Sequence, residues 1–272
     1  MEPTGGLGNR MRAIASCIWL SNQQNQKLKV IWKESHELIA PYQMLFKPTS
    51  EFDLIESNDT SPKPKASDQP NLLKSLVAAG YNKWYGFDYC FKDPFIKDNE
   101  VRILDKTKGE NHVYFKTCEQ FGEHQDFYKA FNPIKSLEER IVKLTDPHKG
   151  NLIGVHVRRT DHALSHQFSP LALFTEKIQQ EIDLNPNIKF FLSTDDEGVQ
   201  RELLEKFESR IIYVPDKKNR QESQGIQDAV VDMFCLANCD KIFGSYFSSF
   251  SIVASRLKNV ELEILQSNLD LV

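Results

Sequence analysis

The sequence predicts an α/β protein built on parallel sheets and divided into two domains, and three observations support this. From residue 152 onward, short apolar segments alternate with amphipathic helical segments, which is typical of parallel strands joined by crossover helices. The chain opens with a glycine-rich loop followed by a helical pattern and a strand pattern, as in a Rossmann-type half. Its 272 residues suffice for two cores of ordinary size.

The composition is that of an ordinary globular protein, with 40% hydrophobic residues, 26% charged residues and a formal net charge of −4. This balance gives no indication of a nucleic-acid or membrane partner, so any anion site must be a local cluster of cations. The sequence contains no apolar stretch of transmembrane length and no signal-peptide core. We therefore expect a soluble, cytoplasmic protein.

The cysteines predict neither a disulfide framework nor a zinc cluster. Their number is odd, and they lack the CxxC spacing of metal sites. Cys235 and Cys239 are four residues apart and could share a helix face as ligands, but a second pair is missing, so we interpret them as core residues. We expect reduced thiols and no bound metal. The five cysteines are Cys17, Cys90, Cys118, Cys235 and Cys239.

The first domain is predicted from the glycine loop onward. Only four residues precede the loop, so either the first strand is very short or the start is truncated. Residues 57–70 contain three prolines and lack apolar periodicity, which predicts a mobile surface loop. The predicted elements are helices over 11–24 and 72–79 and strands over 28–32, 101–104 and 113–116.

The second domain is predicted to start after an amphipathic segment over 134–144, which closes at 146–150. The domains would then span 1–145 and 146–272. The predicted strands are 152–157, 188–194, 211–214, 241–244 and 261–265, and the predicted helices are 170–184, 196–207, 225–237 and 249–257.

The most informative motif is the run from His156 to His162, which contains Arg158 and Arg159 and directly follows a buried strand. Ligands of open α/β sheets bind beyond the carboxyl ends of such strands. A guanidinium binds phosphate oxygens in a bidentate manner, so two arginines here indicate a diphosphate site. The alternative is a surface ion pair between Arg159 and Asp161.

Two further strand ends carry polar residues. After the strand over 188–194, the turn over 193–196 is explained by helix capping, and its Asp195-Asp196 pair is the one candidate for metal binding. After the strand over 241–244, Ser248 and Ser249 stand where a helix begins. Backbone N–H groups, the helix dipole and serine hydroxyls together can hold a phosphate.

The glycine loop from Gly5 to Arg10 lacks the Lys-Ser/Thr of a P-loop and the complete dinucleotide fingerprint. A tight turn is one interpretation. The other is a ligand-binding loop, in which Gly6 and Gly8 let the backbone approach the ligand closely while Asn9 and Arg10 reach towards an anion.

Taken together, these motifs resemble the fucosyltransferase superfamily, which includes the α1,6-, α1,2- and protein O-fucosyltransferases and the rhizobial nodulation fucosyltransferase. The matching stretches are 5–10, 153–161 and 228–249. The middle stretch is the specific one, because it resembles the α1,6 branch, in which a strand ends in His-x-Arg-Arg-x-Asp. The resemblance covers nearly all of the second domain but little of the first beyond the glycine loop and its helix.

The resemblance implies a GT-B architecture, in which two Rossmann-like domains with parallel sheets face each other across a cleft. It implies that the second domain binds GDP-fucose, that the first is the acceptor side, and that no metal or other cofactor is required. Carried over residue by residue, Arg158 would contact the β-phosphate, His156 and Asp232 the guanine and ribose, and Ser248 the phosphates.

The loop after the arginines departs from the family pattern. The α1,6 enzymes carry a lysine there and then a glutamate implicated in acceptor activation, whereas this chain has His162 and His166. A histidine can act as a general base near neutral pH, and alignment favours His166 over His162 and Asp161. The alternative is that both are polar loop histidines without a catalytic role.

The expected function is that of an inverting, metal-independent glycosyltransferase that transfers fucose from GDP-fucose, or a similar GDP-sugar, to a glycan or another hydroxyl acceptor. Two alternatives stay open. One is a transferase that uses another nucleotide-sugar, and the other is a catalytically silent nucleotide-binding or glycan-binding module.

Overall fold

The computed structural model describes residues 1–56, 63–69, 71–109, 111–159, 163–219 and 221–267. The chain divides into two compact units, Met1–Asn132 and Pro133–Val272. The strands are β1 (Glu2–Pro3), β2 (Lys29–Trp32), β3 (Asp53–Glu56), β4 (Tyr89–Lys92), β5 (Val113–Thr117), β6 (Leu152–Val157), β7 (Lys189–Thr194), β8 (Ile211–Ile212), β9 (Lys241–Ser245) and β10 (Glu261–Leu265). The α-helices are α1 (Leu7–Gln23), α2 (Leu72–Trp84), α3 (Glu100–Lys106), α4 (Lys135–Thr145), α5 (Ala163–Phe168), α6 (Leu171–Leu184), α7 (Glu197–Phe207), α8 (Ser223–Ala237) and α9 (Ser249–Lys258).

The second unit is a doubly wound parallel sheet with the strand order β10-β9-β6-β7-β8. Counted within the unit, this is the Rossmann order 3-2-1-4-5 reversed end to end. The chain winds outward from β6 through β7 to β8, then returns to β9 on the other side of β6. The topological switch point therefore lies between β6 and β9, where ligands of such sheets bind.

The core of the second unit explains why β6 is central. All six of its residues are buried, and Val155 packs with side chains of α6 and α7 in one apolar cluster. On the opposite face Gly154 lets α8 lie close, because a Cβ there would come within 2.8 Å of Leu236 Cδ2. A strand covered on both faces reads as a continuous apolar run, so its position was predictable from the sequence.

The first unit contains the three-stranded parallel sheet β1-β5-β4 and the parallel pair β2-β3. β1 is two residues long. The Ile31 N–H donates to Met1 O at 2.8 Å and places β2 beside β1. Helix α1 buries Met11, Ile14 and Ile18 in this unit.

Several predictions for the first unit are wrong. The segment over 101–104, predicted as a strand, is part of helix α3. Ile103 is buried and Val101 is exposed, so only one face of this helix packs against the protein. Strands β3 and β4 were missed, because each is only four residues long and too short to show a period. Helix α2 extends beyond the predicted 72–79 to Trp84.

Part of the proline-rich segment contacts β4. Residues 57–62 and 70 lie outside the described residues. Within 63–69, the Ser67 N–H donates to Cys90 O at 2.8 Å, and Ser67 Oγ accepts the Cys90 N–H at 2.9 Å. This part of the segment therefore lies along β4, rather than forming the mobile loop that its composition predicted.

Helix α4 lies in the second unit, whereas a boundary at 145/146 would place it in the first. It buries Leu137 and Ile141, and Arg140 forms an ion pair of 2.6 Å with Asp228 of α8. The division between the units falls between Asn132 and Pro133 rather than at 145/146, because the apolar face of α4 packs on this unit.

Candidate functional site

The candidate site lies at the carboxyl ends of β6 and β9, on the two sides of the switch point. Ser245 joins these strand ends: its hydroxyl donates to His156 O at 3.1 Å and accepts the Arg158 N–H at 2.9 Å. Residues leaving the two strands are thereby held next to each other. The arginine motif follows β6 and the serine motif follows β9, and these two strands pair directly in the sheet.

Arg158 is oriented by a carboxylate from the next strand. Its Nε lies 3.5 Å from Asp195 Oδ2, and Asp195 Oδ1 accepts the Arg159 N–H at 2.8 Å. The Arg158 side chain is 18% exposed and the Asp195 side chain 5%. Asp196 instead caps α7, because its Oδ1 accepts the Val199 N–H at 2.9 Å. The two aspartates of this turn therefore have different roles.

Arg159 is buried beneath the site. Its guanidinium donates to the carbonyl oxygens of Arg158 and Ser169, each at 2.9 Å. Burial lowers the pKa of Arg159, while Asp195 and Asp196 act in the opposite direction. Because its guanidinium binds backbone carbonyl oxygens, Arg159 supports the backbone next to the site. Its predicted surface partner Asp161 lies outside the described residues.

His156 and the start of α9 form the other side of the site. The buried His156 ring stacks on Phe250 with centroids 5.0 Å apart and an interplanar angle of 26°. Ser248 is the buried N-cap residue of α9, and Ser249 is the first residue of the helix. Phe247, just before them, adopts a left-handed φ of 58°, which is uncommon outside glycine and typical of functional loops.

Asp232 projects from α8 towards the end of β7. Its Oδ2 accepts the Ser193 hydroxyl at 2.9 Å and forms an ion pair with Lys217 Nζ. Asp232 is buried, whereas the Lys217 side chain is 23% exposed. Sequence reasoning missed Lys217, because its loop after β8 carries no pattern that pairs it with a helix residue. The one local signal is a lysine pair at 217–218.

One of the proposed base residues, His166, lies on α5. His166 is exposed on this short helix, so solvent and small molecules can reach its ring. Asp161 and His162 lie outside the described residues. Of the three groups named as candidate bases, the structure therefore places only His166.

The glycine loop is a tight turn into α1. Gly5 adopts a φ of +78°, and α1 begins at Leu7, so Gly8, Asn9 and Arg10 are helical rather than parts of a loop. Gly6 is the N-cap residue. We expected the helix to begin at residue 11, because three glycines in four positions disfavour a helix.

Arg10 holds this turn in place. Its guanidinium donates to Gly5 O at 2.8 Å, Lys33 O at 2.6 Å and Ser35 Oγ at 2.9 Å, and its Cζ lies 4.8 Å from the centroid of the Trp32 ring. Burial lowers its pKa to about 10. The Arg10 guanidinium therefore binds acceptors within its own unit, including the backbone of the turn itself. This geometry agrees with the tight-turn interpretation of the loop.

The five cysteines are free thiols. Burial raises the pKa of Cys17 to about 12 and that of Cys90 to about 11, so these thiols are not nucleophiles near neutral pH.

Among the residues that the structure describes, no three or more His, Cys, Asp or Glu side chains form a group able to hold a metal ion. Within the same residues, no helix combines the length and apolar character needed to cross a bilayer.

The fold defines a Rossmann-like α/β protein with Arg158 and the N-terminus of α9 at its switch point, and solved structures share its architecture. The alignment with the NodZ α-1,6-fucosyltransferase soaked with GDP-fucose covers 94% of this chain and 90% of NodZ, at 20% identity and a TM-score of 0.60. A second structure of NodZ, from Bradyrhizobium, aligns over 93% of this chain and 90% of its own, at 18% identity and a TM-score of 0.58. The predicted α/β fold with parallel sheets, which is that of the GT-B fucosyltransferases, is thus confirmed.

Two other fucosyltransferases support the same conclusion. Arabidopsis thaliana FUT1 in complex with GDP aligns over 96% of this chain and 69% of its own, at 13% identity and a TM-score of 0.62. POFUT1 in complex with GDP aligns over 95% and 93% of the two chains, at 11% identity and a TM-score of 0.58. No protein-family model and no curated protein sequence matches this chain.

Proposed function

We propose that this chain is an inverting, metal-independent glycosyltransferase that transfers fucose from GDP-fucose to a glycan or another hydroxyl acceptor. The observation that supports it most is the position of Arg158 and the N-terminus of α9 on the two sides of one switch point. A guanidinium and a helix N-terminus are complementary to a diphosphate. Structures of the neighbours FUT1 and POFUT1 are complexes with GDP, and the NodZ crystal was soaked with GDP-fucose.

In this proposal the second unit binds the donor. Arg158 contacts the β-phosphate, while Ser248, Ser249 and the backbone N–H groups at the start of α9 hold the diphosphate. His156 and Asp232 face the guanosine. The support for the last pair is that both are buried at the same edge of the sheet, His156 at the end of β6 and Asp232 against the end of β7.

The chemistry follows from these positions. The acceptor oxygen attacks C1 of fucose, the bond between C1 and the phosphate oxygen breaks, and its electron pair leaves with GDP. Arg158 and the α9 N-terminus stabilise the negative charge that develops on the diphosphate, which lowers the barrier without a metal ion. A base accepts the acceptor proton, and we assign this role to His166, with Asp161 and His162 as alternatives.

The remaining assignments extend the proposal. We place the acceptor side in the first unit and assign the protein to the cytoplasm, where its five free thiols stay reduced. Among the described residues, the Asp195-Asp196 pair is engaged by arginine and helix-cap contacts. This engagement supports a metal-independent reaction.

A thermal-shift comparison of GDP, UDP and ADP tests the donor. A ligand at about 100-fold its dissociation constant adds about 2.7 kcal/mol to stability, so GDP should raise the melting temperature while UDP and ADP should not. Stabilisation by UDP alone would indicate another nucleotide-sugar.

GDP release from GDP-fucose distinguishes an enzyme from a silent module. The same assay tests metal independence. Loss of GDP release in EDTA, with recovery in magnesium or manganese, would contradict it.

A further inference from the structure

Helix α2 of the first unit has its apolar face turned towards solvent. Its most exposed large side chains are 55 to 86% exposed: Leu72, Leu73, Leu76, Val77 and Trp84. Their spacing places them along one side of a 3.6-residue helix. A surface helix of a globular domain ordinarily buries its apolar side, whereas α2 exposes it.

The packed side of α2 is polar and small. Ala78 and Asn82, four residues apart, are the two fully buried positions of the helix. The Asn82 amide donates to Lys65 O at 2.8 Å, and its oxygen accepts the Lys65 N–H at 2.7 Å. These bonds fix which side faces the protein. The outward direction of the leucines is therefore set by a buried hydrogen-bonded residue.

The surroundings of the exposed face are basic. Over residues 63–92 the sequence has five lysines and two aspartates, and α2 itself contains no acidic residue. Asp68 is paired with Arg102 at 2.8 Å and Asp88 with Lys83 at 2.9 Å. A groove of about 530 Å³ joins the apolar and basic groups; it is lined in part by Lys65, Lys74, Lys92, Leu73 and Val77.

We propose that this face of α2 binds the surface of an anionic membrane. Leucine and valine side chains with a tryptophan at the helix end suit the boundary between headgroups and acyl chains, and the flanking lysines suit anionic lipid phosphates. A second copy of the chain fits less well, because two such faces would bring lysines together without an acidic residue on either helix.

Trp84 provides a direct measurement. Of the three tryptophans, Trp19 and Trp32 are buried and Trp84 is 86% exposed. Vesicles of phosphatidylcholine with about 30% phosphatidylglycerol should shift the Trp84 emission to shorter wavelength and pull the protein into the floating fraction. Both effects should weaken in about 0.5 M NaCl and with pure phosphatidylcholine, because salt screens the lysines and the neutral lipid lacks their partner.

Two matched variants complete the test. Leu73→Glu combined with Leu76→Glu should reduce vesicle binding at least about tenfold, because both apolar contacts are lost. Leu184→Glu, at a leucine that is 80% exposed at the end of α6, should bind like the wild type. Circular dichroism establishes that each variant is folded. GDP binding, assigned to the second unit, should be the same in all three proteins.

The proposal is overturned if the wild type does not float with anionic vesicles, or if the double variant floats equally well. A dimer in sedimentation analysis that the double variant abolishes, without vesicle binding, would assign the face to self-association instead. Because GDP binding is measured separately, failure here is distinguishable from failure of the proposed transferase function.

Discussion

The carboxylate of Asp195 lies against the guanidinium of Arg158, with Oδ2 3.5 Å from Nε. The other oxygen of the same carboxylate accepts the Arg159 N–H at 2.8 Å. Asp195, just after β7, therefore fixes the side chain of Arg158 and the backbone of Arg159, the two residues that follow β6. This arrangement gives Asp195 a positioning role that helix capping alone would not require.

Asp195→Asn should weaken GDP binding by about tenfold, because the amide keeps the size of the side chain but loses the charge that orients Arg158. Isothermal titration with GDP measures the change. Asp196→Asn is the matched control, since asparagine also caps helices and α7 should be retained. Equal affinities for the Asp195 variant and the wild type would remove this carboxylate from the donor site.

Arg159→Lys should act on stability. The lysine cannot reach the carbonyl oxygens of Arg158 and Ser169 together, so buried acceptors lose their partner and the free energy of unfolding should fall by about 2 kcal/mol. Chemical denaturation of the variant measures this loss. An unchanged unfolding midpoint would show that Arg159 does not support the loop.

His166→Gln tests the base. If His166 takes the acceptor proton, kcat should fall by roughly 10²-fold, while GDP affinity stays the same because the donor is held by other residues. His148→Gln, on a histidine elsewhere in the second unit, serves as the control. A parallel loss of GDP affinity would assign His166 to donor binding or loop structure. Unchanged transfer would move the base to Asp161, His162 or the first unit.

The lowered pKa of Glu2 predicts that the first unit loses stability in acid. Burial alone would raise its pKa, but bonds from Lys116, Tyr114 and Lys33 outweigh burial and lower the pKa to about 2 from 4.5. A depressed carboxylate pKa contributes stability that is present above pH 4.5 and is lost as the pH falls towards 2.

Glu2→Gln should therefore lower the free energy of unfolding by about 3 kcal/mol at pH 7, as an upper value from the shift. The difference from the wild type should shrink as the pH falls from 4.5 to 2. Urea unfolding across this range measures it, with Glu119→Gln, on a more exposed ion pair with Arg12, as a control of small effect. A difference that is independent of pH would refute the ionic origin.

The second unit was largely predictable from the sequence. Strands β6, β7 and β9 are mostly apolar, β10 alternates acidic and apolar residues, and amphipathic helices separate the strands. The strand order also follows from doubly wound topology, and with it the meeting of the arginine and serine motifs. The first unit was less predictable. Four-residue strands such as β3 and β4 show no period, and α2 exposes the leucines that would ordinarily reveal its buried side.

The contacts within the site were not predictable to the same extent. Arg158 and Arg159 are adjacent and chemically identical, yet one side chain is partly exposed and the other is buried on carbonyl oxygens. Lys217 meets Asp232 only because the loop after β8 passes α8. The sequence left both a tight turn and an anion-binding loop open for Arg10, because its partners, the carbonyl oxygens of Gly5 and Lys33, are invisible in a sequence pattern.

The central claim is that Arg158 binds the diphosphate of a GDP-sugar, and GDP release from GDP-fucose by Arg158→Lys tests it most directly. Lysine keeps the charge but loses the bidentate geometry, so turnover should fall by at least about tenfold, roughly 1.4 kcal/mol in the barrier. Arg256→Lys, at an exposed arginine of α9, should release GDP at the wild-type rate. Wild-type turnover in Arg158→Lys would contradict the account.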